Sequence, residues 1–350
     1  MSDDATVVER TKAPSLLRSI VHRLAGDATE LPVEGQLASF DGATGWLESE
    51  PLTPEGLRGR VVLVDFWTYT CVNWLRTLPY VRAWASKYRD AGLTVVGVHT
   101  PEFGFERNVD NVVVAARDFE VNFPIALDND YAVWSAFSNH FWPAVYIADV
   151  EGRIRYHHFG EGEYAAIEMV IQQLLLDAGA DVDRDLVVVD PQGLEVAADW
   201  PSVQSPETYV GYGQSTGFAQ DDVARFDERR VYTLAPLRLN QWALSGDWTV
   251  ARHAGISNEP SGRIAFRFHA RDLNLVMGPM SRGASVAFRV FIDGQPPDAA
   301  HGVDVDAQGS GTVRDQRTYQ LIRQPDAIEE RTFEIEFLDA GVEAYCFTFG

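Results

Sequence analysis

Residues 61 to 76 constrain this chain more than any other stretch. Val61-Val62-Leu63-Val64-Asp65-Phe66-Trp67 is an apolar run of strand length, and after Thr68-Tyr69-Thr70 a cysteine, Cys71, opens the helix-forming segment Val72-Asn73-Trp74-Leu75-Arg76. A buried strand that turns tightly into a helix leaves Cys71 at the positive end of the helix dipole, beside N–H groups with no partner inside the helix. Both favour thiolate over thiol, so the position suits a sulfur nucleophile with a pKa below the free value of about 8.5.

The rest of the first half repeats the strand-helix alternation. Strands are predicted over 61–67, 93–99, 123–127 and 144–149, and helices over 71–89, about 109–119 and 130–137. Glu151-Gly152 then reads as a hairpin turn into 153–158, followed by a helix over 163–177. That order predicts an α/β domain with a central sheet. Upstream, residues 14–26 carry Leu16, Leu17, Ile20, Val21 and Leu24 at helical spacing, an amphipathic segment read as docking on its own domain rather than on a membrane surface. Residues 27–57 read as a linker.

From Glu207 onward the helical period disappears. Alternating segments at 262–269, 273–277, 285–292, 317–323, 332–337 and 344–349, separated by turns such as Asp293-Gly294, predict an all-β sandwich of jelly-roll type. The expected organisation is an N-terminal segment 1–30, an α/β domain 31–180, a linker 181–206 with one apolar strand-like run at Leu186–Val189, and a β domain 207–350.

Charge excludes one class of partner. The chain has 350 residues and a net charge of −22, with two lysines, Lys12 and Lys87, so it lacks the clustered cations that a nucleic-acid surface requires. Two cysteines, Cys71 and Cys346, make no disulfide framework. No signal-like apolar core and no apolar run of membrane-spanning length is present, which gives a cytoplasmic expectation.

The segment around Cys71 resembles the active-site stretch of the thioredoxin superfamily. Asp65 lies six residues before the cysteine and Pro79 eight after it, the offsets of that family's buried carboxylate and helix proline. The resemblance implies a thioredoxin fold, a central mixed sheet flanked by helices, with an inserted strand-helix element as in redoxins of the TlpA and AhpC/TSA type. It also implies that Trp142-Pro143 is a cis proline facing the cysteine. Five further segments, including Gly97-Val98-His99-Thr100-Pro101-Glu102-Phe103 and Arg271-Asp272-Leu273-Asn274-Leu275-Val276-Met277, are similar to the soluble C-terminal part of DipZ-type cytochrome c biogenesis proteins. In those a thioredoxin-like domain precedes a carbohydrate-binding-like β domain, and the comparable part lies outside the cytoplasm, the alternative location. This sequence lacks that family's membrane domain, its built-in electron donor.

One departure alters the chemistry. The family's Cys-x-x-Cys puts a resolving thiol at position 74, and here that residue is Trp74. Divergence to a monothiol site, a trapping substitution and a sequence artefact each account for it. The expected site is Cys71 as nucleophile with Asp65 as the buried acid, and Trp67, Trp74, Trp142 and Pro143 as the substrate groove. Thr68, whose spacing to Cys71 resembles the Thr-x-x-Cys of peroxiredoxins, and Arg76, a positive charge or a solvated helix residue, stand second. Cys346 could resolve Cys71 only if the fold brought the two sulfurs together, a coincidence the sequence gives no reason to expect.

The implied activity is thiol-disulfide exchange, with reduction of a peroxide through a sulfenic acid as a weaker variant. Partners would be a protein disulfide or thiol and an external thiol reductant, with neither cofactor nor metal required. The competing reading, from a different class, is a redox-inactive scaffold that binds a protein or glycan. Trp242, Trp248 and Tyr319 are candidates for a sugar platform and, more simply, for core. His157 and His158, neighbours on a strand, point to opposite faces and read as structural. Asp304 and Asp306 read as surface rather than as a calcium loop.

Overall fold

The computed structural model describes residues 31–220 and 226–350. The amphipathic segment expected at 1–30 lies outside the described residues. The chain clusters into two compact units: Met1–Phe66 with Tyr80–Val98 and Phe123–Val188, and Trp67–Pro79 with His99–Asn122 and Val189–Gly350.

The first unit is built on a seven-stranded mixed sheet. In chain order its elements are β1 (Gly35–Gln36), β2 (Gly45–Leu47), β3 (Val61–Trp67), α1 (Val72–Lys87), β4 (Leu93–His99), α2 (Val109–Asp118), β5 (Ile125–Leu127), α3 (Ala132–Ala136), β6 (Ala144–Ala148), β7 (Arg153–Phe159) and α4 (Tyr164–Asp177). The strand order is β1-β7-β6-β3-β4-β5-β2. β3 is central and buried throughout, which is why it reads as an unbroken apolar run rather than an alternation. It runs antiparallel to β6 with Asp65 opposite Val145. Val62, Val64 and Phe66 on one face join Val96, Val98, Phe137 and Tyr146 in the core.

Two expectations change here. The predicted linker 27–57 contains β1 and β2, which close the two edges of the sheet; runs of two and three residues are too short to show a period. The apolar run 186–189 is no strand. The Val187 N–H donates to the Glu168 carboxylate, and Val188 is 97% exposed.

Most of the second unit is a β sandwich. Its strands are β8 (Thr208–Tyr209), β9 (Arg229–Tyr232), β10 (Trp242–Val250), β11 (Gly255–Ser257), β12 (Gly262–His269), β13 (Asp272–Pro279), β14 (Val286–Ile292), β15 (Ser310–Val313), β16 (Arg317–Arg323), β17 (Glu330–Phe337) and β18 (Val342–Phe349). β15, β14, β17 and β12 form one leaf, and β11, β18, β13 and β16 the other. β10 joins them, pairing β12 through Trp242–Ser245 and β11 through Trp248–Val250. The hinge is Gly246, at φ 89°, where a Cβ would stand 3.1 Å from the Gly262 Cα. In the sequence Ser245-Gly246-Asp247 looks like a turn, so β10 is unpredicted.

Between the leaves, Phe266 packs on Phe347 and Phe349 with ring centroids 5.1 and 5.2 Å apart. Trp242, Trp248 and Tyr319 belong to this core. The Trp242 indole stacks on Phe218 and donates to the Thr216 carbonyl, so these three rings offer no sugar platform. Asp304 bonds Arg317 and the Gln320 N–H, and Asp306 caps the turn at Gln308 and Ser310.

The outer face of the β13-β18 leaf is buried as well. Leu273, Leu275 and Met277 point into the sandwich, while Asn274, Val276, Thr318, Gln320, Cys346 and Thr348 are buried outside its core. Segments 67–79 and 99–122 of the same unit cover them. The Thr318 hydroxyl donates to the Thr70 carbonyl at 2.6 Å, Arg76 donates to the Phe349 carbonyl at 3.2 Å, and Phe103 and Phe105 lie against Tyr345.

Candidate active site

Cys71 immediately precedes α1. Its N–H donates to the Thr68 carbonyl at 3.2 Å, and its carbonyl accepts the first helical bond, from Leu75 at 3.0 Å. The side chain caps the helix: the N–H groups of Asn73 and Trp74 reach the sulfur and favour thiolate. Three things oppose them. Burial pushes the thiol up, and the nearby carboxyls of Glu102 and Glu207 push it further, so the balance lies well above the ordinary thiol value. The lowered pKa expected from a helix start alone is therefore reversed, first by burial and then by acids that the local sequence does not reveal.

The turn that carries Cys71 is clamped from two sides. Buried Glu106 accepts the Thr70 N–H at 3.3 Å and the Thr70 hydroxyl at 2.6 Å, together with the N–H groups of Glu102 and Phe103. The Thr70 carbonyl is held by Thr318. Beside it, Glu102 accepts the Tyr209 hydroxyl. Burial and the charges of Glu207 and Glu106 push the Glu102 carboxyl up to about 8.

Behind the cysteine is an aromatic wall. Trp67 and Trp74 are completely buried and stacked on each other, with centroids 4.3 Å apart and planes at 21°. Phe119 meets the edge of Trp74, and His99 stands edge-on to Trp67 and parallel to Tyr69. Both ring nitrogens of His99 are buried without a hydrogen-bond partner, and burial pushes its pKa down to about 3, so the ring is neutral. Trp74 thus fills the position of a second thiol with a packed indole. Putting cysteine there opens a cavity costing about 3–5 kcal/mol, which a fall in the urea midpoint would register.

The other residues singled out from sequence fall as follows. Thr68 is buried in the turn, and Arg76 is buried rather than solvated, 2% exposed and bonded to Phe349 and Asn73. In the first unit Asp65 is fully buried on β3, and the Trp142-Pro143 peptide is cis. Pro143 is buried, while half-buried Trp142 packs on Trp134 at 4.2 Å. His157 bonds Glu34 and His158 lies near the Glu161 carbonyl. Glu102, Glu106 and Tyr209 are not singled out by the sequence, because Glu106 meets Thr70 across 36 residues and Tyr209 meets Glu102 across 107, separations that no spacing rule joins.

A mixed sheet whose central strand turns into a helix capped by a cysteine, with a cis proline opening a neighbouring strand, defines a thioredoxin-like protein. Residues 205–350 match the family described as "Thioredoxin like C-terminal domain". Protein DipZ of Mycobacterium bovis is 34% identical over 330 residues, covering 92% of this chain and 44% of DipZ, so the chain spans less than half the length of that relative. Thiol-disulfide oxidoreductase YkuV of Bacillus subtilis is 27% identical over 141 residues, 40% of this chain and 95% of YkuV. A thioredoxin-like protein solved in its oxidised form is 28% identical, with a TM-score of 0.39, over 41% of this chain and 97% of its own. Among the described residues no helix is long and apolar enough to cross a membrane.

Proposed function

We propose that this protein is a thiol-disulfide oxidoreductase in which Cys71 is the attacking sulfur, Glu102 its proton acceptor, and a protein disulfide its substrate. The observation that carries the reading is the capped sulfur itself: Cys71 receives the N–H groups of Asn73 and Trp74 while a carboxyl of raised pKa lies beside it. The resting sulfur is a thiol, so attack requires loss of its proton. A carboxyl near 8 is a stronger base than an ordinary one and is matched to that transfer at neutral to mildly alkaline pH. As the proton leaves, the helix N-terminus stabilises the developing thiolate, which adds to one sulfur of the substrate and expels the other as thiolate. Buried Trp67 and Trp74 are proposed to support the Cys71 turn from behind.

The test is reduction of 2-hydroxyethyl disulfide by dithiothreitol, followed across pH. The expected result is a rate that rises through pH 8, vanishes in Cys71→Ser, and loses its pH 8 inflection in Glu102→Gln. Turnover that survives Cys71→Ser would overturn the reading and leave a binding scaffold as the better account.

A further inference from the structure

The second cysteine lies in the same unit, on the leaf of the sandwich that holds the Cys71 turn through Thr318. Cys346, on β18, is buried in a small group with Phe103, Val276 and Tyr345, outside the sandwich core. It pairs in register with Tyr209 of β8, whose hydroxyl bonds Glu102 and lies 3.4 Å from Glu207. The Cys346 thiol donates to the Phe347 carbonyl at 3.5 Å, and burial and the charges of Glu102 and Glu207 push both the Cys71 and the Cys346 thiols up. An independent path leads the same way. Thr318, which holds the Thr70 carbonyl, is in register with Val276, and Val276 with Cys346. Two strand steps separate Thr318 from Cys346, about 10 Å at ordinary strand spacing.

We propose that Cys346 is the resolving thiol of Cys71, taking the place in space of the cysteine that Trp74 displaced in sequence, with Glu207 as its proton acceptor. The inference rests on the reading of Cys71 as nucleophile. A disulfide requires Cα atoms within about 7 Å, so the Cys71 turn must move toward β18 once Cys71 carries its substrate adduct.

The balance is simple. Cys71 thiolate attacks the substrate disulfide R–S–S–R, forming Cys71–S–S–R and releasing RS⁻. Cys346 gives its proton to Glu207 and attacks the Cys71 sulfur. The Cys71–Cys346 bond forms, the bond to R breaks, and the second RS⁻ leaves and is reprotonated from Glu207. Two protein thiols lose two electrons and the substrate disulfide gains them. An external dithiol restores the reduced form.

The experiment treats the reduced full chain with 2-hydroxyethyl disulfide, quenches in acid and maps peptides without reduction. The expected product in the unmodified protein is a linked Cys71–Cys346 peptide lighter by two hydrogens, with little mercaptoethanol adduct. In Cys346→Ser and Cys346→Ala the adduct at Cys71 should persist, its release by its own chain slowed at least about tenfold. The inference is overturned if the adduct forms on Cys71 and persists equally in unmodified and variant chains, an outcome that leaves the Cys71 reading intact. Failure of Cys71 to form any adduct overturns both. The linked peptide is sought in the unmodified protein, so its presence or absence decides even if both variants misfold.

Discussion

Two glutamates, one in each unit, buried Glu168 and half-buried Glu102, show how the same side chain can be structural in one place and chemical in another. Glu168 on α4 sits beneath α1 and is surrounded by donors: the Trp84 indole at 3.1 Å, the Tyr88 hydroxyl at 2.6 Å, the Val187 N–H at 2.9 Å, and the Lys87 ammonium at 3.6 Å. All four of these neighbours are hydrogen-bond donors or a cation. Glu102 receives one hydroxyl, from Tyr209, and faces two other acids and two thiols. One carboxyl is enclosed by donors, whereas the other stands among acids whose charges add to the rise that burial gives its pKa. What separates them is the company each keeps.

The contrast can be broken by mutation. Glu168→Ala leaves the Trp84, Tyr88 and Val187 donors without their acceptor, and the expected loss is about 3 kcal/mol or more in urea unfolding at pH 7. Glu102→Gln keeps the volume and removes a group whose raised pKa opposes folding at pH 7, so there it should stabilise the chain rather than destabilise it. Equal costs for the two would end the comparison.

A smaller effect lies in pH. Glu102 has a folded pKa near 8 against 4.5 unfolded, so between those values the folded chain holds more protons. Its contribution to stability is present at low pH and is lost as pH rises from about 4.5 through about 8. His99 acts in the opposite sense, since its folded pKa near 3 makes stability fall as pH drops below 6.5. The difference in urea midpoint between the unmodified chain and Glu102→Gln isolates the first term. It should change in favour of the variant as pH rises, and a flat difference would contradict the raised carboxyl.

Smaller again is the expected change in Cys71 alkylation. Removing the Glu102 charge lowers the thiol pKa, so iodoacetamide at pH 8.5 should label Cys71 several-fold faster in Glu102→Gln, with Cys71→Ser as the blank. The smallest effect is that of Thr318→Val, which deletes one buried bond to the Thr70 carbonyl and should cost about 1 kcal/mol in the urea midpoint.

Much of this was legible from sequence where physics is local. β3, α1 and β4 follow from apolar runs bounded by turn residues, and the hairpin at Glu151-Gly152 from a residue able to adopt φ 75°. Cys71 could be placed at a helix start, because a strand, a short turn and a helix lie consecutively. The acids around it could not. Glu102, Glu207 and Tyr209 meet only because segment 99–122 and β8 fold onto one leaf of the sandwich, and the two acids add to the rise that burial gives the Cys71 thiol. Trp74 shows the same limit: its absence of a thiol is plain in the sequence, but its burial against Trp67 and Phe119 is a property of the fold.

That indole pair also makes the site visible. Two indoles stacked at 4.3 Å have transition dipoles close enough to couple, and the coupling depends steeply on their separation and tilt. Trp74 is three residues from Cys71 and its N–H contacts the sulfur, so any rearrangement of that turn is carried into the ring pair. The chain therefore holds a built-in optical meter, and near-ultraviolet circular dichroism can follow the state of one sulfur without a label.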